Sequence, residues 1–200
     1  MNDEISLPLA MEWLTTPEAW SLSEGVLSVT AGPRTDVFTD PVGGGVRRDA
    51  AVALTDAPEG DWQFSARLRV GFRSAWDAGA LVVWADDDHW GKLTFEQAHD
   101  GVPSVYSVVT RGRSDDALAG PVPGDALWLR ISRVGEGYVF HVSEDGGFWR
   151  LVRQFALGGA GGRAARVGVV AQSPVGEGCR VDFDAFRLAP TTLAHLFDGR

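Results

Sequence analysis

The sequence predicts an all-β protein, a two-sheet antiparallel sandwich, and three observations predict it. Apolar and polar residues alternate through most of the chain, the period of strands with one buried face. Clusters of Gly, Asp and Pro punctuate those runs at the short intervals that sandwiches and barrels require. No long segment sustains a helical period. The 200 residues, 44% of them hydrophobic, fit one domain spanning 1–200 with a single core. We place that core at about 12–189 and read 190–200 as a C-terminal tail or short helix.

The clearest strand runs from Trp62 to Val70, where Trp62, Phe64, Ala66, Leu68 and Val70 alternate with polar residues and read as core. Leu81–Trp84 and Trp90–Glu96 form the next pair, joined by the polar turn Asp86-Asp87-Asp88. Val105–Arg111, Leu127–Arg133 and Tyr138–Ser143 follow, and the last leads into the turn signal Glu144-Asp145-Gly146-Gly147. Trp149–Phe155, Arg166–Gln172 and Val181–Leu188 complete the series. Gly158–Gly162 reads as a flexible loop rather than a linker, because strand patterning resumes at once. Thr191–Phe197, after Pro190, is a weak helix candidate with Thr191 or Thr192 as its cap.

A net charge of −9 argues against nucleic acid and against anionic membrane surfaces as partners. Cys179 is the only cysteine, so an intrachain disulfide framework is excluded. The start Met1-Asn2-Asp3-Glu4 lacks the basic, apolar pattern of a signal peptide, and no run of about 18 apolar residues occurs. The expected compartment is the cytoplasm, with the oligomeric state open. No cofactor is expected. His89, His99, His141 and His195 lack metal-ligand spacing, and the Asp86–Asp88 turn reads as solvated rather than calcium-binding.

The functional signal is a polar strand face that also carries aromatic residues. In Trp90–Glu96, Leu93 and Phe95 point to the core, which leaves Trp90, Lys92, Thr94 and Glu96 on the other face. Lys92 is the only lysine among 18 basic residues. Its Cα stands about 13 Å from that of Glu96, so the two are not a simple ion pair and each needs another partner. The same reasoning turns Trp84, Ser107, Arg111, Trp128, Arg130 and Gln172 outward on neighbouring strands. Indoles, arginines, an amide and a carboxylate on one surface suit a sugar: rings stack on its C–H face while polar groups bind its hydroxyls. Each position has an ordinary alternative: a loop covering Trp90 and Trp128, surface ion pairs for Arg111 and Arg130, a solvated carboxylate for Glu96.

Several stretches together resemble a known family. They are Asp86 through Glu96, Ser107-Val108-Val109-Thr110-Arg111-Gly112, Trp128-Leu129-Arg130, Ser143-Glu144-Asp145-Gly146 with Trp149, Gln172-Ser173-Pro174 and Asp182-Phe183-Asp184-Ala185-Phe186. Thr35-Asp36-Val37-Phe38-Thr39-Asp40 is similar to the family's amino-terminal motif, with Val37 where an aromatic residue is commoner. From about Trp20 to Leu188 the chain resembles the regulation-of-enolase-like proteins, members of the concanavalin A-like lectin/glucanase sandwiches. The resemblance implies a jelly roll with a concave ligand-binding face, and adds Asp36 to the candidate contacts. It implies no agreed reaction. One relative is linked to control of enolase, so a protein partner stays open beside a carbohydrate ligand.

Catalysis is the weaker expectation. Related glucanases place several carboxylates at alternate positions on one strand, and a retaining glycosidase needs two about 5 Å apart. Here Glu96 is the only acid on its strand face, and Lys92 stands where an acid would be needed. A second acid would have to come from Asp36 or Asp115. Non-catalytic binding therefore leads, ahead of a cryptic hydrolase or lyase using Glu96 and of a protein-interaction module regulating carbohydrate metabolism.

Overall fold

The computed structural model describes residues 8–158 and 165–200. The expected glycine-rich loop lies outside them beyond Gly158. A short 3-10 turn, Pro8–Ala10, precedes the strands. In chain order these are β1 (Glu12–Thr15), β2 (Ala19–Ser23), β3 (Val26–Thr30), β4 (Val37–Thr39), β5 (Val46–Arg48), β6 (Ala51–Asp56), β7 (Trp62–Gly71) and β8 (Ala78–Asp86). They continue as β9 (His89–Gln97), β10 (Pro103–Arg111), β11 (Arg113–Pro121), β12 (Ala126–Val134), β13 (Gly137–Ser143), β14 (Arg150–Phe155), β15 (Arg166–Gln172) and β16 (Arg180–Ala189). No helix among the described residues is long and apolar enough to cross a membrane.

Two seven-stranded antiparallel sheets stack as a sandwich. The first runs β1-β6-β15-β8-β9-β10-β11 and the second β14-β13-β12-β7-β16-β3-β2. The alternation in the sequence explains the stacking. Trp62, Phe64 and Leu68 of β7 meet Leu81 and Val83 of β8 and Leu93 and Phe95 of β9 in one buried core. Burying side chains of this size contributes roughly 1.5–3 kcal/mol each. The small hairpin β4–β5 belongs to neither sheet. It lies on the outer face of the first, where Val37 and Phe38 pack over a second apolar cluster.

Three features depart from the sequence reading. The amino-terminal strands β1–β6 are not among the strands it named. The edge strand β11 was not anticipated either, because Asp115, Asp116, Gly120 and Pro121 read as loop; charge on an edge strand discourages pairing with another chain. Residues 191–197 form turns rather than a helix. Their backbone serves the second sheet instead: the Leu196 carbonyl lies 2.7 Å from His141 Nε2, and the Thr192 carbonyl accepts from Gln63 Nε2. So short a segment gains little from helix formation alone.

Candidate functional site

Register builds the site. On the outer face of the first sheet, Gln172, Ala78, Glu96 and Ser104 stand in one cross-strand row, on β15, β8, β9 and β10. The next row holds Val170, Ala80, Thr94 and Tyr106, and the one after it Gly168, Val82, Lys92, Val108 and, on β11, Asp116. Small side chains at Ala78, Ala80 and Thr94 leave a hollow between taller neighbours. Phe38 of the β4–β5 hairpin and Pro174 help to line a basin of about 260 Å³.

Lys92 is 2% exposed, and its ammonium is fully used. Nζ donates to the Val37 carbonyl at 2.7 Å, to Gln172 Oε1 at 2.7 Å and to Asp36 Oδ1 at 3.2 Å. An ammonium has three N–H donors, and each has an acceptor here. Lys92 is therefore a strut that ties the hairpin to the sheet. By taking Gln172 Oε1 it also fixes that amide's orientation and leaves Nε2 for other partners. Thr39 N donates to Ser114 Oγ and Arg113 to the Asp40 carbonyl, which pins the hairpin on the β11 side. Arg47 donates to the Pro174 carbonyl on the other.

Glu96 has no such neighbour. Burial pushes its carboxyl up to about 8; the Lys92 charge opposes the rise, and the nearby Asp36 and Asp116 add to it. A carboxyl raised this far favours its protonated form at neutral pH, and a protonated acid can donate a hydrogen bond. Tyr106 stands beside it, its hydroxyl raised first by burial and then by Glu96.

The aromatic wall comes from a residue that periodicity could not select. Trp76 lies in the loop between β7 and β8, packed edge-on to Tyr106 at 5.9 Å and stacked with His99 at 6.3 Å. Its φ of 70° is in the left-handed region, an uncommon conformation for a bulky residue. The surroundings hold it there. Trp76 N donates to the Gln97 carbonyl at 2.7 Å. The fully buried carboxylate of Asp77 accepts from Arg73 N, Ser74 N and Ser173 Oγ. These bonds hold the strained backbone in place.

The expected contacts fall into three groups. Asp36, Lys92, Glu96 and Gln172 line the basin together. Trp84 and Trp90 share its face but lie under the hairpin, stacked 5.8 Å apart at 6° beside Val37 and Val82. They are packing rather than surface.

The remaining four are corrected. Ser107 sits on the core side of β10, opposite Leu93 and between Val105 and Val109. The adjacent Val108 and Val109 hide the strand's parity, and the outward residues are Tyr106 and Val108. Arg111 ends β10 and donates to the Ala156 carbonyl. Trp128 and Arg130 do face outward, but on β12 of the second sheet, across the sandwich from Lys92. Alternation tells in from out, not which of two sheets a strand joins. Of the acids considered as partners for Glu96, Asp36 lines the basin and Asp115 does not; its neighbour Asp116 does. Phe38, Trp76, Tyr106, Val108 and Pro174 complete the lining without having been named as contacts. Phe38, Val108 and Pro174 lie in the stretches that carry the family resemblance, whereas Trp76 and Tyr106 do not.

A family profile described as "Protein of unknown function (DUF1349)" matches residues 13–191. No curated protein matches. Among solved structures, a functionally unknown protein from Saccharomyces cerevisiae is similar with a TM-score of 0.81 and 25% identity, over 90% of this chain and 96% of that one. The GH43 BlXynB protein from Bacillus licheniformis is similar with a TM-score of 0.77 and 18% identity, over 94% of this chain but only 38% of its own length. The carbohydrate binding module CBM66 from Bacillus subtilis is similar with a TM-score of 0.57 and 14% identity, over 88% and 94%. These likenesses support the two-sheet jelly-roll sandwich fold.

Proposed function

The chain belongs to the DUF1349 family of unknown function, and we propose that its basin binds a carbohydrate or similar polyol without catalysis. One observation carries this reading: the Trp76–Tyr106 wall stands over a floor bearing the Gln172 amide, the Glu96 carboxyl and the Asp116 carboxylate. An aromatic surface takes the C–H face of a sugar, and donors and acceptors fixed beside it take the hydroxyls. The ligand-contacting set is Asp36, Trp76, Glu96, Tyr106, Asp116 and Gln172, with Lys92 holding two of them in place. The fold shared with a carbohydrate binding module makes glycans the first ligands to test.

Titration of a broad panel of mono- and oligosaccharides, followed by tryptophan fluorescence and NMR, tests the proposal. Micromolar-to-millimolar binding that weakens about tenfold or more in Trp76→Ala and in Gln172→Ala is expected. A panel that leaves the spectra unchanged would refute it.

A second reading rests on one specific observation. Glu96, Asp36 and Asp116 line the same basin, so the missing second acid has two candidates. A glycosidase works with a carboxyl whose proton is retained and a second acid across the site. Asp36 is committed to Lys92, which leaves Asp116. Product release from a polysaccharide panel, abolished in Glu96→Gln, would favour hydrolysis over binding alone. The resemblance to regulation-of-enolase-like proteins would instead make this face a protein dock. A hollow of about 260 Å³ suits a small ligand better.

A further inference from the structure

We propose a second binding site on the outer face of the opposite sheet, where Arg130 and Arg187 grip the oxyanion group of a small organic ligand. It is independent of the basin. Register again builds it: Arg130 on β12 and Arg187 on β16 both pair with Ser65 of β7, so two arginine-bearing strands flank one small side chain. Two strand spacings set their Cα atoms about 10 Å apart, and both side chains line the hollow between. The hollow measures about 420 Å³ and is also lined by Gln63, Trp128 and Trp149.

Two observations point to a ligand. First, neither arginine has a carboxylate within ion-pair distance among the described residues, whereas Arg67, one row away, is paired with Asp184 at 2.6 Å. Arg130 is only 6% exposed and is held over the Trp149 ring at 4.2 Å, with Nη2 donating to the Gly199 carbonyl. Its buried Nε has no acceptor. Burial, and then Arg187, lower its guanidinium to about 10, so it stays charged at neutral pH with no counter-charge beside it. A buried cation is costly without an anion. Second, the chain is bent to bring Arg187 there. Between Asp184 and Arg187 the ladder of β16 slips by one residue against β7, and Ala185 takes a φ of 50°. Without that bulge Phe186 would stand opposite Ser65; with it, Phe186 packs against the core and Arg187 faces out. Bulges commonly re-aim a side chain in this way.

Carboxylates and phosphates both match a guanidinium pair, and Trp128 beside it offers a face for the carbon skeleton. The test is an NMR titration of the full chain with glucuronate, glucose 6-phosphate, inorganic phosphate and, as neutral control, glucose. The indole N–H signals of Trp128 and Trp149 are the readout, which separates this site from Trp76 in the basin. We expect saturable shifts with glucuronate or glucose 6-phosphate that weaken with added salt, and none with glucose. The stronger of the two identifies carboxylate or phosphate as the preferred anion; equal shifts with inorganic phosphate identify the bare anion as sufficient. Arg187 is exposed, so Arg187→Gln keeps the fold and should lose roughly tenfold or more in affinity, with Arg187→Lys retaining part of it. The proposal is overturned if no anion moves these signals at about 10 mM, or if Arg187→Gln binds as well as the parent.

Discussion

The ammonium of Lys92 and the amide of Gln172 meet at 2.7 Å, and the contact decides which end of the amide the basin receives. Oε1 faces the cation, so Nε2 faces the ligand side. The same nitrogen holds Val37 and Asp36, which makes one buried lysine responsible for a wall, a donor and an acceptor together.

Lys92→Met should therefore cost about 3–5 kcal/mol, since it strands a carboxylate, a carbonyl and an amide oxygen where water is scarce. Chemical denaturation measures the loss. Lys92→Arg should rescue little of it, because a planar fork cannot reach three acceptors arranged around a single nitrogen.

Glu96→Gln should stabilise the protein increasingly as pH rises. The Glu96 carboxyl keeps its proton up to about 8 when folded, against an ordinary value of 4.5. Below 4.5 both states hold the proton and nothing is lost; between 4.5 and 8 the unfolded chain releases it and folding must take it back. The cost grows across that window, is complete above 8, and is on the order of a few kcal/mol. Melting curves of the two proteins should converge near pH 4 and diverge to a constant gap above about pH 8. Curves that stay parallel would mean an ordinary, ionised Glu96.

His141 should make the protein sensitive to acid. Its ring is fully buried, with Nε2 donating to the Leu196 carbonyl and Nδ1 without a partner. Burial lowers it from 6.5 to about 4. Stability from this neutral ring is present above 6.5 and is lost as pH falls toward 4, by roughly 3 kcal/mol. Subtracting the pH profile of His141→Asn should remove that part of the acid limb.

Gly146→Ala should cost about 1–2 kcal/mol. Its φ is +75°, and a Cβ there would stand 2.9 Å from the Trp128 ring. Denaturation should register the loss, and a shift in Trp128 emission should show that the indole has moved.

The sandwich was legible because several strands are long and alternate cleanly: β7 and β9 announce both their extent and their buried side. Lys92, Glu96 and Gln172 were legible as candidates for the same reason, and Asp36 through the family resemblance. What failed was information that lies between strands. Nothing within Leu127–Arg133 tells which sheet it will join, so Trp128 and Arg130 were grouped with residues on the far side of the molecule. Nothing within Val105–Arg111 settles its parity, since valines occupy both faces. Trp76 owes its place to backbone strain held by Asp77, which has no one-dimensional trace.

The β4–β5 hairpin shares no ladder with either sheet, yet it helps to line the basin and roofs two tryptophans. That division separates what evolution can vary from what it must keep. Changes between Asp36 and Asp49 can reshape the opening while the core that folds the chain stays under its own selection. The shape of the basin's mouth is then the property expected to diverge first among relatives, and architecture the last.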